Sequence, residues 1–110
     1  MYTGICRKYK FLAHLSDAER GYIAGIIDGE GCICRDRIRV TNTDKYLLEW
    51  LQLKLGGAIG NQKSYKENHT KCYYWNYSTV ASEQLLIQVL PYLIIKRQKA
   101  VEYLSLRNVM

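Results

Sequence analysis

Apolar residues along this chain change their spacing several times, from helical intervals to alternation and back. Intervals of three and four residues predict four helices, at about 17–29, 44–55, 80–90 and 96–109. Alternation predicts two strand pairs between them, one over 32–42 and one from strands at 58–66 and 71–79. A chain in this order can form one antiparallel sheet with helices on one face only, which is an α+β fold whose other face stays open to solvent or a ligand.

The boundaries of these helices carry their own signals. Ser16 and Glu19 have the spacing of a capping box at the start of the first helix. Gly29 and Gly31 are expected to end that helix, because glycine adopts the backbone angles found after a helix terminus. Pro91 is expected to break the third helix, since it lacks a backbone N–H.

The chain is short and basic, which limits both its architecture and its partners. Its 110 residues fit a single domain spanning 1–110, with no linker-like stretch. Sixteen Lys and Arg against ten Asp and Glu give a net charge of +6, which favours a polyanionic partner and first of all nucleic acid. No apolar run reaches the roughly 18 residues that span a bilayer, and the first residues lack a signal-peptide core. We therefore expect no membrane partner and a reducing compartment inside the cell, either cytoplasm or organelle matrix.

A few residues could form disulfides or bind a soft metal. They are Cys6, Cys32, Cys34, Cys72, His14 and His69. The one-residue gap between Cys32 and Cys34 is neither that of a zinc knuckle nor that of a redox pair. We expect buried, unpaired thiols that pack as small apolar side chains.

The segment YIAGIIDGEG at 22–31 is unusual for a helix and its end. Glycine in a helix interior costs about 0.5 to 1 kcal/mol relative to alanine, so Gly25 and Gly29 need a compensating role. Small residues four apart let two helix backbones approach closely. The face that carries these two glycines is therefore a candidate helix–helix contact surface.

Two acids, Asp28 and Glu30, lie at the C-terminal end of this helix. A helix C-terminus already carries partial negative charge, so carboxylates there are disfavoured unless a cation joins them. Mg²⁺ takes one or two carboxylates together with water and phosphate oxygens, and it would satisfy such a site. The alternative is that the two acids only cap and solvate the loop.

The string IAGIIDGEG resembles the LAGLIDADG motif of the homing endonucleases. It has Ile for Leu at two positions, Gly for Ala at one, and Glu for the second Asp. The order of the predicted elements resembles one αββαββα unit of that family, with a four-stranded antiparallel saddle sheet. PYLIIKR at 91–97 resembles the segment before the family's last helix, so the likeness covers most of residues 17–105.

The resemblance implies a site-specific DNA endonuclease that cuts both strands of a long, nearly palindromic site, associated with an intron or intein. The motif occurs once in this chain, and family members with one motif form homodimers through their motif helices. A second copy of the chain is therefore an expected partner. The residues implied at that interface are Ala24, Gly25, Ile26, Asp28 and Gly29.

By the same resemblance, Glu30 is the metal-binding acid, one from each subunit, and the Gly29 carbonyl is an additional ligand. The implied cofactor is Mg²⁺, with two or three ions shared at the dimer axis. Lys96 falls where the family places a basic residue near the scissile phosphate, to stabilise developing charge or orient the attacking water. Asn42 falls near a position that holds a water-ordering amide. Asp28 is expected to close the turn at the helix end.

The predicted sheet carries the residues expected to bind double-stranded DNA. A two-stranded ribbon fits the major groove, where arginine bonds guanine and asparagine bonds adenine. The candidates for base contacts are Arg35, Arg37, Arg39, Asn61, Lys63 and Tyr65, and the candidates for phosphate contacts are Lys66 and Lys71. About half of the aromatic residues Tyr73, Tyr74, Trp75 and Tyr77 are expected to fill the core.

Two other functions stay open at this point. A non-cleaving protein of the same fold could bind intron RNA as a splicing maturase, or bind DNA as a regulator, although the acid at position 30 favours cleavage. Alternatively, the chain is an unrelated small basic domain whose likeness to the motif is a coincidence.

Overall fold

A computed structural model of the chain describes residues 15–62 and 71–108. In chain order the elements are α1 (Asp17–Glu30), β1 (Gly31–Ile33), β2 (Ile38–Asn42), α2 (Lys45–Leu55), β3 (Ala58–Gln62), β4 (Cys72–Asn76), α3 (Thr79–Val89), a 3-10 turn (Leu90–Tyr92) and α4 (Arg97–Leu106). Several residues singled out in the sequence lie outside the described ranges, namely Cys6, His14, Lys63, Tyr65, Lys66 and His69.

The four strands form one antiparallel sheet in the order β1-β2-β4-β3. The central strands pair Val40 with Trp75, and both side chains are buried in the core between sheet and helices. Successive side chains of a strand point to opposite faces, so Arg39 and Tyr74 lie on the other face. We call that other side of the sheet the open face. The predicted α+β fold, with helices packed on one face of an antiparallel sheet, is confirmed.

The start of α1 is the predicted capping box. The Ser16 hydroxyl accepts from the Glu19 N–H at 3.0 Å, and the Glu19 carboxylate accepts from the Ser16 N–H at 2.9 Å. Of the two glycines expected to end this helix, Gly31 is its C-cap, as predicted, whereas Gly29 lies within the last turn because α1 continues to Glu30. A Cβ at Gly31 would lie 2.8 Å from the Ile27 Cα, so only glycine allows this sharp exit into β1.

The end of α2 is held by aromatic side chains of the sheet. Trp75 Nε1 donates to the Gly56 carbonyl and the Tyr77 hydroxyl donates to the Leu55 carbonyl, both at 2.8 Å. These bonds satisfy carbonyls that a helix C-terminus leaves unpaired. Trp75 and Tyr77 are buried and stacked, whereas Tyr73 and Tyr74 are half-buried. The expectation that about half of these aromatics belong to the core is confirmed.

The cysteines depart from expectation. Cys32 is exposed, and Cys34 and Cys72 are half-buried, so the prediction of buried thiols is wrong for the described cysteines. The reason is the alternation along β1, which buries Ile33 and leaves Cys32 and Cys34 on the outer side. Their two sulfur atoms lie 3.3 Å apart as free thiols.

Within the described ranges, no helix combines the length and apolar character needed to cross a bilayer.

Candidate active site and nucleic-acid interface

One face of α1 is exposed and carries glycine. Gly25 and Gly29 are exposed, and a Cβ built at either position meets nothing within 4 Å. The described part of the chain therefore gives no packing reason for glycine at these two positions. Ala24 and Ile26, which lie about 100° to either side of Gly25 around the helix, are instead buried in the core. The expectation that these two line a surface for a partner is wrong, since helical geometry turns them toward the sheet.

Apolar side chains border this glycine face. Tyr22, which is also exposed on α1, packs edge-to-face against Trp50 of α2 with ring centroids 5.1 Å apart. Tyr46, one turn before Trp50, is 83% exposed. At the other end of α1, Ile94 and Ile95 are 84% and 75% exposed. Exposed apolar groups that are close together mark contact surfaces more often than isolated ones do.

Asp28 ties the end of α1 to the segment that precedes α4. Its carboxylate accepts from the backbone N–H of Ile94 at 2.8 Å and from that of Lys96 at 2.9 Å. Although burial opposes ionisation, these N–H bonds and the Lys96 charge lower the pKa of Asp28 below its usual value. Both carboxylate oxygens are thus engaged within the chain. This agrees with its expected structural role at the helix end, and its place in a dimer interface stays a prediction.

Lys96 lies at the same helix end. Its Nζ donates to the backbone carbonyl of Asp28 at 2.7 Å. The last turn of α1 contains no basic residue, so Lys96 supplies from outside the positive charge that a helix C-terminus favours. The ammonium group has three protons, and this contact uses one of them. The structure thus brings Lys96 to the segment that contains Glu30.

Glu30 is the last residue of α1 and its side chain is exposed. None of the ion pairs among the described residues involves it. In the same part of the chain, no three His, Cys, Asp or Glu side chains cluster closely enough to hold a metal ion. A metal site at Glu30 would therefore need donors beyond the described residues of one chain, together with backbone carbonyls, water or phosphate.

Asn42 lies at the end of β2, and its side chain accepts a hydrogen bond in the turn that leads into α2. Its Oδ1 accepts from the Asp44 N–H at 2.8 Å, and the Asp44 carboxylate in turn caps α2 through the Tyr46 N–H. The amide predicted to order water therefore serves the turn between β2 and α2. A catalytic contribution of Asn42 stays a prediction.

The open face holds an organised group of side chains from three strands. Arg39 of β2 donates from Nε to Asn76 Oδ1 at 2.9 Å, and its guanidinium carbon lies 4.3 Å from the centre of the Tyr74 ring. Tyr74 in turn is paired with Gly60 of β3, and a Cβ at Gly60 would lie 2.4 Å from the tip of the Tyr74 ring. The absence of a side chain at Gly60 thus makes room for the ring. Only Arg39 of this group is a predicted DNA contact, although the alternation of Tyr74 and Asn76 with buried Trp75 could have indicated the open face for the other two.

The other two arginines of the first hairpin lie differently. Arg37 forms a two-pronged ion pair with the adjacent Asp36, at 3.1 and 2.9 Å, and this bond lowers the pKa of the Asp36 carboxyl. Arg35 is exposed in the turn, and its carbonyl accepts a hydrogen bond from Arg107. The three arginines therefore have three different environments.

The prediction that Asn61 shares a face with Arg39 is wrong, while a DNA contact of its exposed side chain stays a prediction. Asn61 of β3 is paired with Tyr73, so it shares the strand face of Ile59 and Trp75 and not that of Arg39. The reason is register, since an odd-numbered residue of β3 faces the helices whereas an odd-numbered residue of β2 faces away from them.

Lys71, directly before β4, is exposed, as a phosphate contact requires.

The chain combines an open antiparallel sheet with a helix that has a glycine-bearing exposed face and an acidic end. This combination of fold and site is shared with one known family of proteins. The family model described as the LAGLIDADG-like domain matches residues 11–106. The chain therefore belongs to the LAGLIDADG family, as the motif at 23–31 indicated.

Solved structures agree on the fold. An archaeal intron-encoded homing endonuclease, I-Vdi141I, complexed with DNA, matches with a TM-score of 0.65 at 22% identity, over 84% of this chain and 68% of that one. The homing endonuclease I-CvuI, in complex with its target in the presence of Ca, matches with a TM-score of 0.62 at 25% identity, over 84% of this chain and 66% of that one. I-CvuI with an I-CreI target in the presence of Mg, where the DNA is not cleaved, matches with a TM-score of 0.62 at 23% identity, over 92% and 68%. No curated protein matches the sequence significantly.

Proposed function

We propose that this chain is the single endonuclease domain of a homodimeric, metal-dependent nuclease that cuts both strands of a long, nearly two-fold-symmetric DNA site. One observation carries the proposal. Glu30 is exposed at the end of a helix whose exposed face carries glycine, and the described residues provide neither an ion-pair partner for the acid nor a packing partner for the glycines. A second copy packed on this face would supply the packing partner, and it would bring a second Glu30 beside the first, a pair of like charges that favours a bound cation.

The glycine face supports a two-fold dimer. Gly25 and Gly29 would let two α1 helices approach backbone to backbone, as small residues four apart do elsewhere. Exposed Tyr22 and Tyr46 on one side and Ile94 on the other would add apolar area around that contact. A two-fold interface uses the same surface on both copies, so it brings the two α1 ends together.

The donor set at those two ends fits a hard cation. Two Glu30 carboxylates and the Gly29 carbonyls are oxygen ligands, which Mg²⁺ and Ca²⁺ prefer over nitrogen or sulfur. When bound, Mg²⁺ would offset the repulsion between the carboxylates and stabilise charge on the phosphodiester oxygens. The I-CvuI structures obtained with Ca and with Mg support a divalent ion in a nuclease of this fold.

The remaining side chains have positioning roles in this proposal. Lys96 directs its two unused ammonium protons to the neighbourhood of the scissile phosphate while its third holds the Asp28 carbonyl. Asp28 fixes the backbone from which Lys96 projects. The open face, in a chain of net charge +6, binds the duplex, and the DNA complex of I-Vdi141I supports DNA as the ligand of this fold.

The test is selection from a randomised inverted-repeat duplex library, first for binding in Ca²⁺ and then for cleavage in Mg²⁺. Glu30→Gln should bind the selected site and fail to cut it, because the exposed side chain keeps its shape and loses its charge. The control is Glu102→Gln, which removes the charge of an exposed acid on a different helix, α4, and it should cut normally. Unchanged cleavage by Glu30→Gln would reject its metal role. Specific binding by the unaltered protein without any cleavage would favour the regulator or, if intron RNA competes better than DNA, the maturase.

A further inference from the structure

The three arginines of the first hairpin differ in the contacts that their guanidinium groups make. Arg37 is neutralised by Asp36 through two hydrogen bonds. Arg39 has no such partner, since none of the ion pairs among the described residues includes it. Arg39 is thus a charge held on the open face without a compensating carboxylate in the described ranges.

The contacts of Arg39 fix its position and leave its outer end available. Nε donates to Asn76, and the guanidinium carbon lies over the Tyr74 ring, 4.3 Å from its centre. Within residues 15–62 and 71–108, no hydrogen bond uses the two terminal nitrogens of Arg39. An arginine held in this way keeps a parallel pair of donors, and it has lost part of the rotamer entropy that binding would otherwise cost.

The platform beneath Arg39 depends on residues of two other strands. Tyr74 occupies the space over Gly60, where any side chain would displace the ring. Asn76 is the register partner of Arg39 on β4, so its amide lies directly across from the arginine. Three strands therefore contribute to placing one side chain.

Resting on the proposed DNA-binding function, we propose that Arg39 reads a guanine in each half-site through its two terminal nitrogens, and that Tyr74 and Asn76 are the residues that position it. Guanine presents two acceptors, O6 and N7, side by side in the major groove, which matches a parallel pair of donors. Adenine and thymine present a donor or a methyl group in the corresponding places, so they are rejected. Because the dimer is two-fold, the guanine appears at symmetric positions of the site.

The experiment measures binding in Ca²⁺ to the duplex selected by the unaltered protein and to duplexes with each other base at the candidate position. Replacing the guanine should weaken binding by about 5- to 150-fold. Arg39→Ala should lose this preference, binding all four duplexes within about two-fold of one another. Arg37→Ala, which removes the same charge from the same hairpin, should keep the preference and lower binding to all duplexes alike.

The positioning residues have their own variants. Tyr74→Leu and Asn76→Ala should reduce the guanine preference while Arg39 is still present, and Tyr74→Phe should keep it because the ring is retained. Gly60→Ala should act like Tyr74→Leu, since it displaces the tip of the ring. Thermal unfolding of each variant serves as a check, because a role in folding alone would lower stability without altering base preference.

The outcomes separate this inference from the proposed function. A uniform loss of affinity in Arg39→Ala would make Arg39 a phosphate contact and overturn the inference, while DNA binding would stand. An unchanged preference in Tyr74→Leu, Asn76→Ala and Gly60→Ala would overturn the positioning role alone. Absence of any sequence-specific DNA binding by the unaltered protein would overturn both proposals.

Discussion

Asp28 and Glu30 are two residues apart at the end of α1, and they face different surroundings. The Asp28 carboxylate turns inward and accepts two backbone N–H groups from the segment before α4. Glu30, the last residue of α1, stays exposed. One acid thus joins two parts of the fold, and the other stays available for a ligand or a second chain.

We expect Asp28→Asn to destabilise the fold by about 1 to 3 kcal/mol, because an amide oxygen can accept only one of the two N–H bonds well and the charge that strengthens them is lost. Chemical denaturation measures the difference in unfolding free energy. Glu30→Gln is the matched control, since it neutralises an exposed neighbour, and it should change stability by less than about 0.5 kcal/mol. Equal effects of the two variants would contradict the different roles assigned to these acids.

Spacing in the sequence located both acids, and the resemblance separated their roles. Neither the spacing nor the resemblance shows which neighbours of Gly25 face the core, and for this reason the expectation for Ala24 and Ile26 is wrong. Nor do they show the face of Asn61, because the register between β3 and β4 is set by pairing across the sheet and not by the pattern within one strand. Errors of this kind arise wherever the assignment depends on a contact between distant parts of the chain.

At the scale of elements, one side chain can take part both in a local helix cap and in a contact between helices. The capping box of α1 uses the Glu19 carboxylate locally, and Lys54 of α2 binds the other oxygen of that carboxylate at 2.7 Å. The box could be predicted because its two residues are three apart. The ion pair with Lys54 could not, since it joins two helices whose packing is decided by the whole core.

We expect the contact with Lys54, together with the bonds to Ser16, to make stability depend on Glu19 at acid pH. These contacts lower the pKa of Glu19 to about 2, from 4.5 when unperturbed. The charged form is therefore favoured in the folded state, and its contribution is complete above pH 4.5 and is lost as the pH falls toward 2. Glu19→Gln retains the capping geometry without the charge, so its unfolding free energy should fall less between these two pH values than that of the unaltered protein.

The measurement is a series of urea denaturations across that pH range. Lys54→Met is a second variant for the same purpose, because it leaves Glu19 in the capping box and removes only the interhelical partner. It should show an intermediate pH dependence. If Glu19→Gln lost stability on acidification as steeply as the unaltered protein, other carboxylates such as Asp28 would account for the acid sensitivity, and the assignment to Glu19 would be wrong.

At the scale of the whole molecule, two surfaces have properties that the folding of one chain does not require. The exposed face of α1 carries two glycines at which an added Cβ would meet none of the described residues within 4 Å, and the open face of the sheet carries an arginine without a carboxylate partner among those residues. In the proposed dimer the first surface joins the copies and the second binds the duplex. Each half-site then meets one copy of the sheet, and the two α1 ends meet at the centre.

We expect Gly25→Leu to separate assembly from folding. A Cβ at Gly25 meets no atom of the described residues within 4 Å, so that part of the monomer has room for the side chain, and leucine favours a helix over glycine by somewhat less than about 1 kcal/mol. The same side chain would hold two α1 backbones apart. Sedimentation of the variant at micromolar concentration should therefore show a folded monomer that no longer cuts DNA, where the unaltered protein sediments as a dimer. Gly21→Ala is the control on the same helix, because its Cβ would lie 3.9 Å from Tyr92 of its own chain, and it should stay dimeric. A dimeric, active Gly25→Leu protein would show that the copies meet through some other surface.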